Sequence, residues 1–280
     1  AKTRATPTRR QQHIPPNVVS KQKTTTMNRI GKLPKRLIKK PYIYRIELLD
    51  RFYKLLLNKE LIFVNPDKWE DPLENFIFNA KVIRDGKPYQ NPAKNFIFSQ
   101  CWSYEGDSYG IWKIYTTKED DNGVFKRHLG VRITTELENL SQISAKNLGQ
   151  FWYGFVDYKW KYELDKLPKN KNIIEALKIT TPDKKHLETL LIKRKSYSYE
   201  NEVRLFAIPD RSIIDKKDDK LCHLIIEPNT FITSIRFDPG MEYSEFKKHK
   251  NRLINEFGFR PKQITQSTYL NKNKYIINLD

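Results

Sequence analysis

The stretch Tyr199-Glu200-Asn201-Glu202-Val203-Arg204-Leu205 decides how the chain is read. As a strand running from Tyr199 to Ile208, it sends Glu200, Glu202 and Arg204 to one face and Val203 and Leu205 to the other, because side chains alternate along a strand. Two acids and a cation then share a surface backed by an apolar face. Before it, Thr181-Pro182 is a cap and first-turn pair for a helix through about Ile192. After it come strands at 221–226 and 232–237, a helix over about 243–257 and a last strand near 263–269.

Toward the N-terminus, Tyr42 to Ile46 reads as a strand, and Leu48, Leu49, Phe52, Leu55 and Leu56 at helical spacing predict an amphipathic helix over 47–58. Leu61 to Val64 is a strand closed by Asn65-Pro66-Asp67, with loop through Pro72. A strand at 95–103, a short helix at 108–115 and a polar loop at 118–126 follow. Strand 129–133 leads into Thr135-Glu136-Leu137-Glu138, whose spacing marks a helix start. The apolar run from Phe151 to Val156 suits a strand covered on both faces. Strands and helices do not alternate regularly enough for a doubly wound parallel sheet. The class is α+β, with a mixed or antiparallel sheet core and flanking helices.

The chain has 280 residues, and its 15 Phe, 15 Tyr and 5 Trp can build a sizeable core, which excludes a disordered or disulfide-stapled chain. Its net charge of +19 is unevenly placed: 13 Lys and Arg precede the first acid, Glu47, while the rest carries 39 basic and 33 acidic residues. Residues 1–40 therefore read as a basic tail without a core, and 41–280 as one globular domain. Met27 is a candidate natural start, with 1–26 an upstream extension. No apolar run approaches a bilayer span, so a soluble cytoplasmic protein without a membrane partner is expected. Cys101 and Cys222 lie in apolar strand-like runs and read as reduced thiols.

The five histidines form no pair at metal-ligand spacing, so no metal site is expected. Walker A, GxGxxG and G-x-S-x-G patterns are absent. Any chemistry must run on carboxylates, Arg, Ser and aromatic groups.

Several blocks in order resemble the bacterial and phage family filed as domain of unknown function 2971. They are Ile43-Tyr44-Arg45, the run from Leu61 to Glu74, Phe98 to Ser103, Trp112 to Tyr115, Gly130 to Ile133, Lys193 to Tyr197 with Glu200 to Arg204, and Ser234 to Pro239. The insert at 118–126 and the basic tail depart from that pattern. A looser similarity, Arg…Ser…Glu-x-Glu, resembles mono-ADP-ribosyltransferases, in which these groups converge on NAD. That resemblance implies a split β-sandwich and a metal-independent NAD-cleaving or ADP-ribosyl-transferring enzyme, with a role in phage–host conflict. By position it implies Arg45 on the pyrophosphate, Ser103 (or Ser99) on the nicotinamide ribose, Glu202 on the 2′-hydroxyl and Glu200 orienting the acceptor. Tyr44, Trp102, Trp112, Tyr115 and Arg204 complete the implied cofactor-binding set. A carboxylate beside an oxocarbenium-like centre and a bidentate Arg on pyrophosphate suit this chemistry.

Two other readings stay open. In one, the protein is a non-enzymatic nucleic-acid binder, using residues 1–46 together with Lys247, Lys248, Lys250 and Arg252 on the 243–257 helix. In the other, a nuclease would need Asp157 with Glu202 and a lysine where Arg204 stands.

Overall fold

In a computed structural model that describes residues 27–106, 108–120, 122–215 and 217–269, ten strands pair into one sheet. The labelled strands are β1 (Asn28–Ile30), β2 (Tyr42–Leu48), β3 (Glu60–Val64), β4 (Phe98–Ser103), β5 (Gly130–Glu136), β6 (Gly149–Phe155), β7 (Asp157–Lys159), β8 (Ile192–Arg194), β9 (Glu202–Pro209), β10 (Leu221–Ile225), β11 (Ser234–Phe237) and β12 (Ile264–Gln266). Across the large sheet the order is β1-β6-β9-β4-β2-β5-β11-β12, with β3 joined to β4 and β10 to β3. The β1–β6 and β11–β12 pairs are parallel and the others antiparallel. β7 and β8 form a separate parallel ribbon. The fold is α+β with a large mixed sheet.

Alternation along β9 builds two different faces. Val203, Leu205 and Ala207 join Phe98 and Trp102 of β4 and Ile43 of β2 in the main core. Helices α2 (Leu49–Asn58) and α4 (Tyr243–Asn255) cover that core with Phe52, Leu56, Phe246 and Leu253. Each such side chain, fully buried, contributes about 1.5–3 kcal/mol. The opposite face is apolar only at its two ends. At one end Phe206 packs with Ile30, Leu187 and Leu190; at the other Ile46 packs with Ile111 and Trp112 of α3 (Tyr109–Thr116). Glu202 and Arg204 lie between these clusters.

The sheet branches at β4. Ser103 at one end pairs with Tyr44 of β2, and Ser99 near the other pairs with Val64 of β3. Between those points side chains replace ladder bonds: Arg45 Nη1 donates to the Cys101 carbonyl, and Gln100 Nε2 donates to the Ile62 carbonyl at 3.0 Å.

Several expectations change. Residues 27–40, read as tail, are part of the packed fold: β1 pairs with β6, and Leu37 of α1 (Lys35–Lys39) is buried. Residues 1–26 and 270–280 lie outside the described residues. At the ends of the polar stretch expected as a loop, Thr117–Glu119 and Phe125–Arg127 pair as antiparallel strands. Thr135 is still strand, and helix begins later, at Glu138 and then at Ser141. The helix expected from Thr181 is shorter, Lys184–Thr189, because Asp183 supplies the cap and Ile192 opens β8. Strand 151–156 is only partly covered. Among the described residues no helix is long and apolar enough to cross a membrane.

Candidate functional site

β9 starts at Glu202, not Tyr199, because residues 195–200 form a 3-10 helix that Asn201 ends in the left-handed region at φ 45°. Glu200 is thus not on the strand with Glu202. The two carboxylates meet through Lys193 of β8, whose Nζ lies 2.6 Å from Glu200, 3.0 Å from Glu202 and 3.0 Å from Glu74. Arg204 grips Glu202 through two hydrogen bonds, Nε to Oε1 at 2.8 Å and Nη2 to Oε2 at 3.1 Å. It also pairs with Glu74, donates to the Leu190 carbonyl and lies over the Trp69 ring, with Cζ 4.3 Å from the centroid. Glu202 and Arg204 are 2% and 0% exposed in the middle of the sheet.

Three carboxylates and two cations leave this cluster one negative charge in excess. Its members are driven apart in proton affinity. Burial would raise Glu202, but Arg204 and Lys193 outweigh it and hold the carboxyl at about 2. Burial raises Glu200 above its ordinary value, and Lys193 offsets only part of that. Lys193 is held above its ordinary value by Glu202, Glu74 and Glu200 against its own burial. Tyr115 and Tyr158 are pushed up by burial and by the field of Glu200 and Glu202. The Tyr158 hydroxyl accepts a hydrogen bond from the Glu202 backbone N–H at 2.8 Å. The Cys101 thiol, beside Glu202, is raised by burial first and then by that carboxylate.

Tyr44, Ser103 and Glu202 form one cross-strand row over β2, β4 and β9. Ser103 Oγ donates to the Glu200 carbonyl at 2.6 Å and accepts from Glu105 N–H at 3.0 Å, so it fixes the turn that carries Glu200. Arg132 stacks over the Tyr44 ring at 4.9 Å, and Gly106 lies so close that a Cβ there would stand 2.7 Å from Tyr44 Cζ. Beside this row a depression lined by Tyr44, Arg45, Ser103, Trp112, Tyr115 and Arg132 encloses about 20 Å³, the room of one water. Among the described residues the buried Trp112 Nε1 has no hydrogen-bond partner.

Arg45 is one residue out of the Tyr44 row, so its side chain leaves β2 on the opposite side, fills the gap between β2 and β4 and pairs with Glu47. No hydrogen bond or ion pair joins it to Ser103, Glu200 or Glu202 among the described residues. Trp102 also lies on the far face, in the main core, where its Nε1 donates to Gln100 at 2.8 Å. Ser99 is buried at the β3 branch, away from the row. Arg204 binds Glu202 internally, and Trp112 is core under Ile46. Tyr115 remains 38% exposed at the mouth of the cluster.

Asp157 pairs with Lys159 at 2.9 Å, and the lysine beside Glu202 is Lys193, from another strand. On α4, Arg252 is engaged by Glu256 at 2.8 Å and Lys247 lies over Tyr243, as on an ordinary solvated face. Sequence reasoning missed Lys193, Glu74, Tyr158 and Trp69 as members of the cluster. Lys193 and Glu74 stand in quoted blocks, but a lone charge far away in sequence carries no spacing signal. Among the described residues, no group of His, Cys, Asp or Glu has a metal-holding arrangement; the three glutamates converge on an ammonium. No protein-family model and no curated protein matches the chain.

Proposed function

We propose that the chain cleaves the N-glycosidic bond of NAD and passes the ADP-ribosyl group to an acceptor or to water. The observation that carries this reading is the Tyr44–Ser103–Glu202 row on adjacent strands, with Glu200 brought to Glu202 by Lys193. Nicotinamide departs with the bonding electron pair and leaves a single positive charge on the ribose carbon. A cluster one negative charge in excess, with Glu202 ionised across the working pH range, suits that charge. Glu200, whose proton affinity is raised, suits taking the acceptor's proton. The branching at β4 supports a split β-sandwich, and the ordered blocks support kinship with domain of unknown function 2971. Tyr44 stands in the row where the transferase pattern has Arg. Arg132 lines the depression on the Tyr44 side and supplies positive charge for a pyrophosphate lying across its mouth, since the enclosed space has the room of one water only.

The test is nicotinamide release from NAD by wild type, Glu202→Gln and Glu200→Gln, with each fold checked by its urea midpoint. Removing one charge-stabilising group costs about 10²–10³-fold in rate. Equal rates in all three, or no release by wild type with protein, DNA, RNA or water as acceptor, would sink the reading.

Nucleic-acid binding through residues 1–46 is the second reading. Arg29, Lys32, Lys35, Lys39 and Lys40 support it: all are exposed and form no ion pair with an acid among the described residues. Its signature is affinity that falls steeply with salt.

A further inference from the structure

The β7–β8 ribbon and the segments that leave it carry aromatic and lysine side chains beside the carboxylate cluster. Tyr158 and Lys193 are register partners, and both touch Glu202, the first through its backbone N–H and the second through its carboxylate. Just past the ends of the two strands, Lys195 Nζ lies 5.9 Å from the Trp160 ring. One helical turn further, Lys166 Nζ lies 5.7 Å from the ring of Tyr162. Tyr199 directly precedes Glu200 in the 3-10 helix, its hydroxyl pushed up by burial and then by Glu200. Trp160, Tyr162 and Tyr199 are 55%, 62% and 49% exposed, so all three rings are open to solvent. Lys195 and Lys166 form no ion pair among the described residues, whereas Lys159, Lys161 and Arg194 beside them are neutralised by Asp157, Asp165 and Asp71. Of these five cations, the two without an acid are the two that lie over the rings.

We infer that this strip is a track for single-stranded nucleic acid, leading the strand to Glu200 as the acceptor. Open rings interleaved with uncommitted lysines match such a strand, whose bases stack without sequence preference while its phosphates take the ammonium groups. A polysaccharide would use the rings but gain nothing from the lysines, and a duplex hides its bases from the rings. The acceptor role rests on the NAD reading above; the track does not.

The test is fluorescence anisotropy of the full chain with labelled oligothymidylate and oligouridylate, each about 20 nucleotides long, at two salt concentrations. Trp160→Ala and Tyr162→Ala are each expected to weaken binding about 5- to 150-fold, and Trp160→Phe to retain most of it. Lys195→Gln should lower the salt slope by about 0.7. Trp160 and Tyr162 are exposed and Lys195 is half-buried without an ion pair among the described residues, so the variants should fold, and nicotinamide release into water should be unchanged. Alanine variants that bind the oligonucleotides like wild type would overturn the track, as would an oligosaccharide that quenches Trp160 fluorescence where oligothymidylate does not. Ring-dependent binding by a protein that releases no nicotinamide would support the track and remove the acceptor role with the NAD reading. Nicotinamide release by a protein whose aromatic variants are indifferent to the strand would overturn the track alone.

Discussion

Lys193 and Glu202 belong to different sheets, yet the lysine Nζ lies 3.0 Å from the glutamate carboxylate, with neither group more than 8% exposed. Through this pair the small β7–β8 ribbon is fastened to the middle of the large sheet. The same ammonium draws in Glu200 from a turn and Glu74 from the segment after β3.

Removing that ammonium leaves three carboxylates facing one another with only Arg204 to offset them. Lys193→Ala is expected to cost about 3–5 kcal/mol, the range for breaking a buried ion pair from one side. Urea unfolding measures it, and a cost under about 1 kcal/mol, as for a surface pair, would contradict the role given to Lys193.

Acid should weaken the fold through Glu202. Its native pKa of about 2 lies below the ordinary 4.5, so the ionised form contributes stability above about pH 4.5 that is lost as pH falls toward 2. At 1.36 kcal/mol per pKa unit this is about 3 kcal/mol. Glu200 acts in the opposite sense: its raised pKa means that ionisation is less favourable in the fold, so it subtracts stability as pH rises through its ordinary value. Urea midpoints across that acid range should fall for wild type and fall less for Glu202→Gln.

Arg45 holds the branch of the sheet together. Arg45→Met leaves the Cys101 carbonyl and Glu47 without their partner and is expected to cost about 1–3 kcal/mol. Because β4 carries Ser103 and Cys101, nicotinamide release should fall along with the melting temperature. A large loss of release with an unchanged melting temperature would instead point to direct contact between Arg45 and the substrate.

Leu37 tests where the packed fold begins. It is 1% exposed, so Leu37→Ala should cost about 2–5 kcal/mol, read as a shift in the thermal midpoint. A change within about 0.5 kcal/mol, usual for a surface position, would return residues 27–40 to the tail.

Local pattern determined much by itself. Alternation in Val203, Arg204 and Leu205 and helical spacing in Phe52, Leu55 and Leu56 are properties of neighbouring residues, and both survive in β9 and α2. They sufficed for the α+β class and for Glu202 and Arg204 sharing a face. What only the tertiary structure decided was which distant groups those faces meet. Alternation could not tell a solvated edge from a buried centre, because that depends on β6 and β4 flanking β9. Nor could it tell Tyr44 from Arg45 as the member of the row, since a shift of one residue in register exchanges the faces. Glu200 was read onto the strand, and its true route to Glu202 runs through a left-handed Asn201 and an ammonium from β8. A buried charge is stable only where its partner arrives, and Lys193 and Glu74 arrive from segments brought near by the packing of the whole sheet.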